Sequence, residues 1–380
     1  MTASTQGPLA GLSVVELAGL GPVPFAGLLL AELGADVVRI DRPGGNSPLG
    51  QSGGLGRSRP SIAVDLKHPE GLATVQRLVD RADVLIEGLR PGVTERLGLG
   101  PADCLARNPR LVYGRMTGWG QDGPLAQRAG HDITYAAITG ALHLTGPAER
   151  PIAPVNVLAD FGGGTLYLVV GILAALHSRE TTGRGQVVDA AMVDGVASLV
   201  TMFYGLLASG SWQDRRGVNL LDGGVPFYDT YECADGRFVA VGALEPQFYA
   251  ELLDGLGATF EHAQYDPNGF AAQRDAFTRL FRERTRDEWA EHFSGTDACV
   301  APVLSLAEAP THPHLAARHT FADLDGHPVP RVAPRFSDTP ALPPTRERAI
   351  GADTREQLLA RGFTAEEVVA LLASGAVVQS

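Results

Sequence analysis

The strongest constraint on this chain's fold is a repeated alternation of short apolar runs with helix-like segments through its first half. Residues 13–17 (Ser-Val-Val-Glu-Leu) read as a buried strand, 25–33 as a helix and 35–40 as a second strand. Residues 69–81 carry an amphipathic helical pattern; 83–86 and 111–116 are again strand-like. Strands alternating with helices of this length predict a mainly parallel sheet with helices on its faces. Asp160 then opens a predicted helix over 161–178, ended by Gly183 and Gly185, and 186–191 is strand-like.

The texture changes after about residue 215. Residues 230–233 and 237–241 flank Asp235-Gly236, a pair that favours a type I′ hairpin turn. Pro246 suits the first position of a helix running to Leu256. Nine prolines between 301 and 344, without a periodic run, predict an extended connection, and Thr364 with Glu367 forms a capping box. At 380 residues the chain is too long for one ordinary domain. We expect a large domain from 1–200 and 330–380, a small α+β domain from 225–320, and linkers at 201–224 and 321–330.

A formal net charge of −12 argues against nucleic acid as a partner, though not against a local basic pocket. Three scattered cysteines offer no disulfide framework and no metal pair, which fits a reducing cytoplasm. No basic segment followed by an apolar run marks the N-terminus, the last four residues form no peroxisomal or ER address, and the longest apolar run, 166–176, is about half a bilayer span. Lysine occurs once, at Lys67, against thirty arginines.

Residues 14–41 imitate a dinucleotide site: a strand, Gly19 and Gly21, a helix, and an acid, Asp41, at the end of the next strand. Pro22 and Pro24 occupy the turn, and proline offers no N–H to a pyrophosphate. A strand-turn-helix without a nucleotide on its turn is the better reading. Cationic residues gather elsewhere: Arg39 and Arg42, Lys67, Arg90 and Arg96. Three of these motifs follow predicted strands, where parallel sheets keep their ligand crevice, and arginine forks suit phosphate oxygens. An ordinary solvated surface is the alternative.

Three further residues could carry chemistry. His131 follows a loop and precedes a helix-like segment, so it reads as a general base or as a capping or core histidine. Asp160 precedes Gly162, Gly163 and Gly164 within its helix-like run; it reads as an N-cap or as a working carboxylate beside glycines that admit a ligand. Glu245 precedes Pro246 and reads as an N-cap or a functional acid.

Several motifs resemble the family III CoA-transferases: residues 10–17, 33–43, 90–98, Met116-Thr-Gly-Trp-Gly-Gln and Val188-Asp-Ala-Ala-Met. Within that family Gly130-His-Asp, Ala159-Asp-Phe-Gly-Gly-Gly, Asp222-Gly-Gly and Tyr228-Asp-Thr-Tyr resemble the α-methylacyl-CoA racemase branch. The resemblance spans about residues 7–337. It implies an α/β fold, with a Rossmann-like large domain and a smaller domain, in an interlocked obligate homodimer. It implies His131 and Asp160 as the catalytic pair, with Glu245 from the partner subunit bonded to the histidine. It also implies CoA-binding roles for Arg42, Val64, Asp65, Leu66, Lys67, Gly88, Leu89, Arg90 and Arg96, with Gly130 and Tyr135 near the thioester. No cofactor beyond the CoA of the substrate is expected, and no metal.

The chemistry expected of such a set is removal of the C2 proton of a 2-methylacyl thioester and its return to the opposite face. Histidine and a carboxylate suit the two faces. The Asp132 backbone N–H is a candidate donor to the enolate oxygen. Two rivals stand beside this reading: CoA transfer through an aspartyl intermediate at Asp160, and acyl-CoA binding without turnover. A transferase needs no base on the far face of C2, so His131 favours the racemase. The racemase branch favours a methionine-rich acyl pocket. This chain has four methionines, with Met192 and Met202 in the expected region, so the acyl chain it prefers stays open.

Overall fold

The computed structural model describes residues 7–45 and 53–380. The opening residues 1–6, read above for a leader, lie outside the described part. The chain divides into two units: 1–139, 155–199 and 319–380 form the first, and 140–154 with 200–318 form the second.

In the first unit, strands β1 (Ser13–Leu17), β2 (Asp36–Asp41), β3 (Ser61–Val64), β4 (Val84–Glu87), β5 (Val112–Thr117) and β6 (Val187–Ala191) pair in parallel. The central residues of β1 to β4 are mostly valine, leucine and isoleucine and are buried, the pattern of a sheet covered by helices. Helix α1 (Pro22–Glu32) joins β1 to β2, and α2 (Pro69–Val79) joins β3 to β4. Prolines at the start of both helices sit where a helix has no use for an N–H. After the short helices α3 (Val93–Arg96) and α4 (Pro101–Arg107), β5 leads to α5 (Asp132–Ile138). On one face of the sheet Val15, Ile40, Ile62, Val75, Leu85, Leu111 and Tyr113 build the core with Leu358, Phe363 and Val368.

The segment predicted to begin at Asp160 begins earlier. A π-helix, Val157–Leu166, runs directly into α6 (Tyr167–Thr182), and Gly183 closes it with φ 69°. Asp160 is therefore inside the helix and not its N-cap. The joined helix, Val157–Thr182, is long and apolar enough to cross a membrane by length and composition, and 39% of its most apolar stretch is buried inside the protein. The run 166–176 underestimates it because glycines and Asp160 interrupt the apolar pattern without interrupting the helix. It packs on β5, β6, α1 and α7 (Met192–Leu199).

The second unit has its own sheet of three antiparallel strands: β7 (Tyr228–Glu232), β8 (Phe238–Gly242) and β9 (Val300–Pro302). Only Gly236 in the β7–β8 turn takes a positive φ, 74°, while Asp235 does not. The Gly236 N–H reaches the Cys233 carbonyl at 3.0 Å. The turn is thus a type I turn followed by a left-handed glycine, not the predicted type I′. Phe227, Tyr231, Phe277, Phe281 and Trp289 fill this unit's core. Residues 140–154 belong with it because the Arg216 guanidinium grips the carbonyls of Pro147 (3.1 Å) and His143 (3.2 Å). Residues 201–208, expected in a linker, form a helix, Thr201–Ala208.

The proline-rich stretch is not wholly extended. It contains a hairpin, β10 (Phe321–Leu324) with β11 (His327–Pro330), turning at Asp325-Gly326. Finally β12 (Val377–Val378) pairs antiparallel with β3. The sheet order is β12-β3-β2-β1-β4-β5-β6. The order reverses between β1 and β4, and the carboxyl ends of those two strands are where such sheets bind ligands.

Candidate active site

The turns after β1 and β4 meet at that reversal. Leu20, Gly88 and Leu89 line two neighbouring cavities at once, one of about 840 Å³ and one of about 390 Å³. Both are built within the first unit.

The larger cavity takes Arg42, Val64, Asp65, Leu66, Lys67, Gly88, Leu89 and Arg96 into its wall, together with Gly375 and Val378 from the C-terminal strand region. Three cationic side chains face this space on a protein of net charge −12. Arg42, Lys67 and Arg96 are exposed, and their charges are of a kind that suits phosphate oxygens. Two residues of the sequence argument are differently employed. Arg39 is 5% exposed and its Nε lies 2.7 Å from Asp41; Ser61 Oγ donates to the same carboxylate at 2.5 Å. The acid that imitated a ribose ligand is thus committed to the core, and Arg39 with it. The turn itself is not idle, since Gly19 and Leu20 line the larger cavity.

The smaller cavity gathers His131, Asp160, Arg90, Gly130 and Tyr135, with Met116, Trp119 and Met192 on its walls. His131 holds the N-cap position of α5, and its side chain is exposed to the cavity. Its backbone carbonyl accepts the Thr134 N–H at 2.8 Å, and its own N–H donates to Thr134 Oγ1 at 3.0 Å. Gly118 and Gly130 leave the space into which the Tyr135 ring packs; a Cβ on Gly118 would lie 2.0 Å from it. Trp119 meets Tyr135 edge to face, with ring centroids 4.6 Å apart.

Asp160 projects from the π-helix, a geometry enriched at functional sites. Its Oδ2 accepts the Asn156 amide at 3.2 Å. Burial pushes its carboxyl above the usual carboxylate range; the Asn156 hydrogen bond opposes this, the Asp132 charge adds to it, and His131 opposes it. Tyr135 is likewise pushed up, by burial first and by the Asp160 charge second, so its hydroxyl keeps its proton. The glycines after Asp160 do not open the backbone to a ligand. They let α7 approach: a Cβ on Gly163 would lie 2.7 Å from Val196, and one on Gly195 would strike the Gly163 carbonyl at 1.8 Å.

Asp132 begins α5, where its backbone N–H has no acceptor within the helix. Its side chain is 6% exposed. Met192 lines the smaller cavity, while Met202 lies in the second unit and is exposed. Glu245 also belongs to the second unit. It takes the N-cap position of the helix Pro246–Leu256, makes no side-chain cap there, and is exposed. Sequence reasoning does not single out Trp119, Met116 and the β1 turn as cavity walls, nor Asn156 as the partner of Asp160; the motif Gly130-His-Asp lies at the smaller cavity, and nothing local marks Asn156.

The model of CoA-transferase family III matches residues 9–354. The chain belongs to that family. A protein of Mus musculus named alpha-methylacyl-CoA racemase is 46% identical over 370 residues, covering 96% of both chains. The succinyl-CoA–L-malate CoA-transferase beta subunit of Chloroflexus aurantiacus is 32% identical, covering 93% of this chain and 94% of its own. A solved structure of a CaiB/BaiF family protein from Brucella suis superposes with a TM-score of 0.81 at 30% identity, over 94% of this chain and 100% of that one.

Proposed function

We propose that this member of CoA-transferase family III is an α-methylacyl-CoA racemase, interconverting (2R)- and (2S)-2-methylacyl-CoA thioesters. The observation that carries the reading is His131 facing the same cavity as Asp160. A transferase needs the carboxylate alone; a proton carrier beside it is what inversion at C2 requires. The higher identity to a racemase than to a transferase points the same way.

In the proposed step, one base takes the C2 proton and the C–H electron pair moves into the thioester, leaving an enolate with its charge on oxygen. The conjugate acid of the other base protonates C2 from the opposite face, so the two enantiomers use His131 and Asp160 in reversed order. The raised carboxyl of Asp160 suits it better than an ordinary aspartate to serve both as base and, once protonated, as acid. The Asp132 N–H would receive the enolate oxygen; losing one such donor typically costs about 10²–10³ in rate. The larger cavity would hold the CoA part, with Arg42, Lys67 and Arg96 on its phosphates and the thioester reaching the smaller cavity past Gly88 and Leu89.

The reading extends to an interlocked homodimer in which Glu245 of a second copy orients His131. The exposed apolar residues Leu166, Val170 and Leu173 on one long helix support a partner surface of this kind. A reducing cytoplasm suits the free thiols of Cys104, Cys233 and Cys299. The substrate class would place the enzyme in lipid metabolism, with a sterol-like, a branched fatty or a short 2-methylacyl chain as its substrate.

The test is NMR of each enantiomer of a 2-methylacyl-CoA with the enzyme in deuterated water, without an acceptor acid. Deuterium entering C2 with loss of optical purity is expected. No exchange with any chain length, together with an acyl-enzyme trapped at Asp160, would give the transferase reading instead. Arg42→Ala is expected to raise KM for the thioester about tenfold or more, as loss of a charge-assisted hydrogen bond does, with kcat nearly unchanged. A collapse of kcat at saturation with KM intact would remove Arg42 from the CoA site.

A further inference from the structure

The Asp132 side chain sits between the two proposed proton carriers without serving as a proton carrier itself. Its Oδ2 accepts two consecutive backbone N–H groups of the π-helix, from Ala159 at 2.7 Å and from Asp160 at 2.8 Å. Its Oδ1 is buried and makes no hydrogen bond. Covalently, Asp132 is the next residue after His131. One carboxylate therefore links the backbone carrying His131 to the backbone carrying Asp160.

We propose that the Asp132 carboxylate is a positioning residue that fixes the separation of the two bases and, through its buried unpaired oxygen, sets the charge environment in which Asp160 works. This rests on the racemase reading and deepens it. A 1,1-proton transfer needs both bases aimed at one carbon, and misplacement by about 1 Å can cost about 10²-fold in rate. Two charge-assisted hydrogen bonds donated to one acceptor resist such drift better than packing alone.

The electrostatic part has a sign. The groups facing Asp160 are His131, Asp132 and Tyr135 from α5 and its cap, and Asn156 just before its own helix, while Arg90 and Arg128 line the same cavity from other loops. Burial comes first in holding the Asp160 carboxyl up, and a buried carboxylate as close as Asp132, which disfavours a second negative charge, adds to it. As a base, Asp160 must be ionised. The direction that uses it is lost as pH falls through its raised value.

Asp132→Asn keeps an oxygen able to accept both N–H groups but removes the charge. Asp132→Ala removes both. The experiment is the pH profile of C2 deuterium exchange for each enantiomer separately, with KM and kcat resolved. For Asp132→Asn, the acid limb should move to lower pH for one enantiomer only. For Asp132→Ala, kcat should fall about 10²-fold with KM near wild type. If Asp132→Ala does not fold, the Asp132→Asn profile decides alone. An unmoved limb in Asp132→Asn, or wild-type kcat in Asp132→Ala, overturns the proposal. Absence of C2 exchange in the wild-type enzyme instead overturns the racemase reading beneath it.

Discussion

His131→Ala is expected to lower racemisation by about 10²–10⁴, the usual contribution of one positioned acid–base group. The loss should be lopsided. The enantiomer whose proton Asp160 takes can still exchange C2 hydrogen with deuterated solvent, because removal and return can both occur on that face. The other enantiomer loses its base and should stop exchanging. Inversion should nearly cease in both directions, since each needs both carriers. Exchange of the two enantiomers at wild-type rates in His131→Ala would sink the two-base scheme. The proposed CoA site is the larger cavity, whose wall does not include His131, so thioester binding should be little changed.

Arg59→Ala is expected to cost about 3–5 kcal/mol of folding stability, the penalty for removing one partner of a buried ion pair. Glu16 lies within β1 and Arg59 just before β3; both side chains are 0% exposed, with Arg59 Nε 2.8 Å from Glu16 Oε2. The helix α1 closes over them because position 27 is glycine: a Cβ there would lie 2.0 Å from the Glu16 carboxylate. The pair is built into the sheet–helix interface and cannot relax into water. Burial pushes the Glu16 carboxyl up to about 7, with the Arg59 and Arg39 guanidinium groups pulling it down. Without Arg59 the carboxyl rises further. A raised acid contributes stability that is full below its unfolded value and lost as pH rises through its folded value. Both proteins lose that stability up to about pH 7, and above it only the variant goes on losing, so the deficit should widen from about pH 7 into the range of about 8–9 known for unpaired buried glutamates. Urea melts at several pH values check this, with Glu16→Leu/Arg59→Met as the control expected to recover most of the loss. Equal deficits at the two ends of that range would count against the assignment.

The two cases mark what a sequence can and cannot disclose. β1, β2, β4 and β5 are legible because each is a run rich in valine, leucine and isoleucine or their apolar neighbours, bounded by polar residues or glycine. Of the positions expected to bind CoA, Arg42, Val64 to Lys67, Gly88, Leu89 and Arg96 share the larger cavity, while Arg90 lines the smaller one instead. β3 and β12 escape such a reading: β3 (Ser-Ile-Ala-Val) carries only two large apolar residues, and β12 is two residues long. The helix at Asp160 is read as starting too late, because an aspartate before glycines imitates an N-cap and a π-helix carries no 3.6-residue signature. Arg39, Glu16 and Arg59 look like surface charges until the fold pairs them out of water. Asn156 is invisible because its meaning depends on a carboxylate one irregular turn away.

The antiparallel pairing of β12 with β3 has a bearing on how the chain is made. β3 is synthesised early and stands at the outer margin of the parallel sheet, while the two residues that cover it come from beyond the whole second unit. Until they arrive, β3 presents an open edge of unpaired amides and carbonyls to any strand that drifts past. The wall that Gly375 and Val378 give the larger cavity is missing over the same interval. A growing or refolding chain therefore passes through a stage in which it is most prone to join its neighbours and least able to be rescued by its own ligand. Dilution and speed of closure, more than added CoA ester, should govern the yield of active protein.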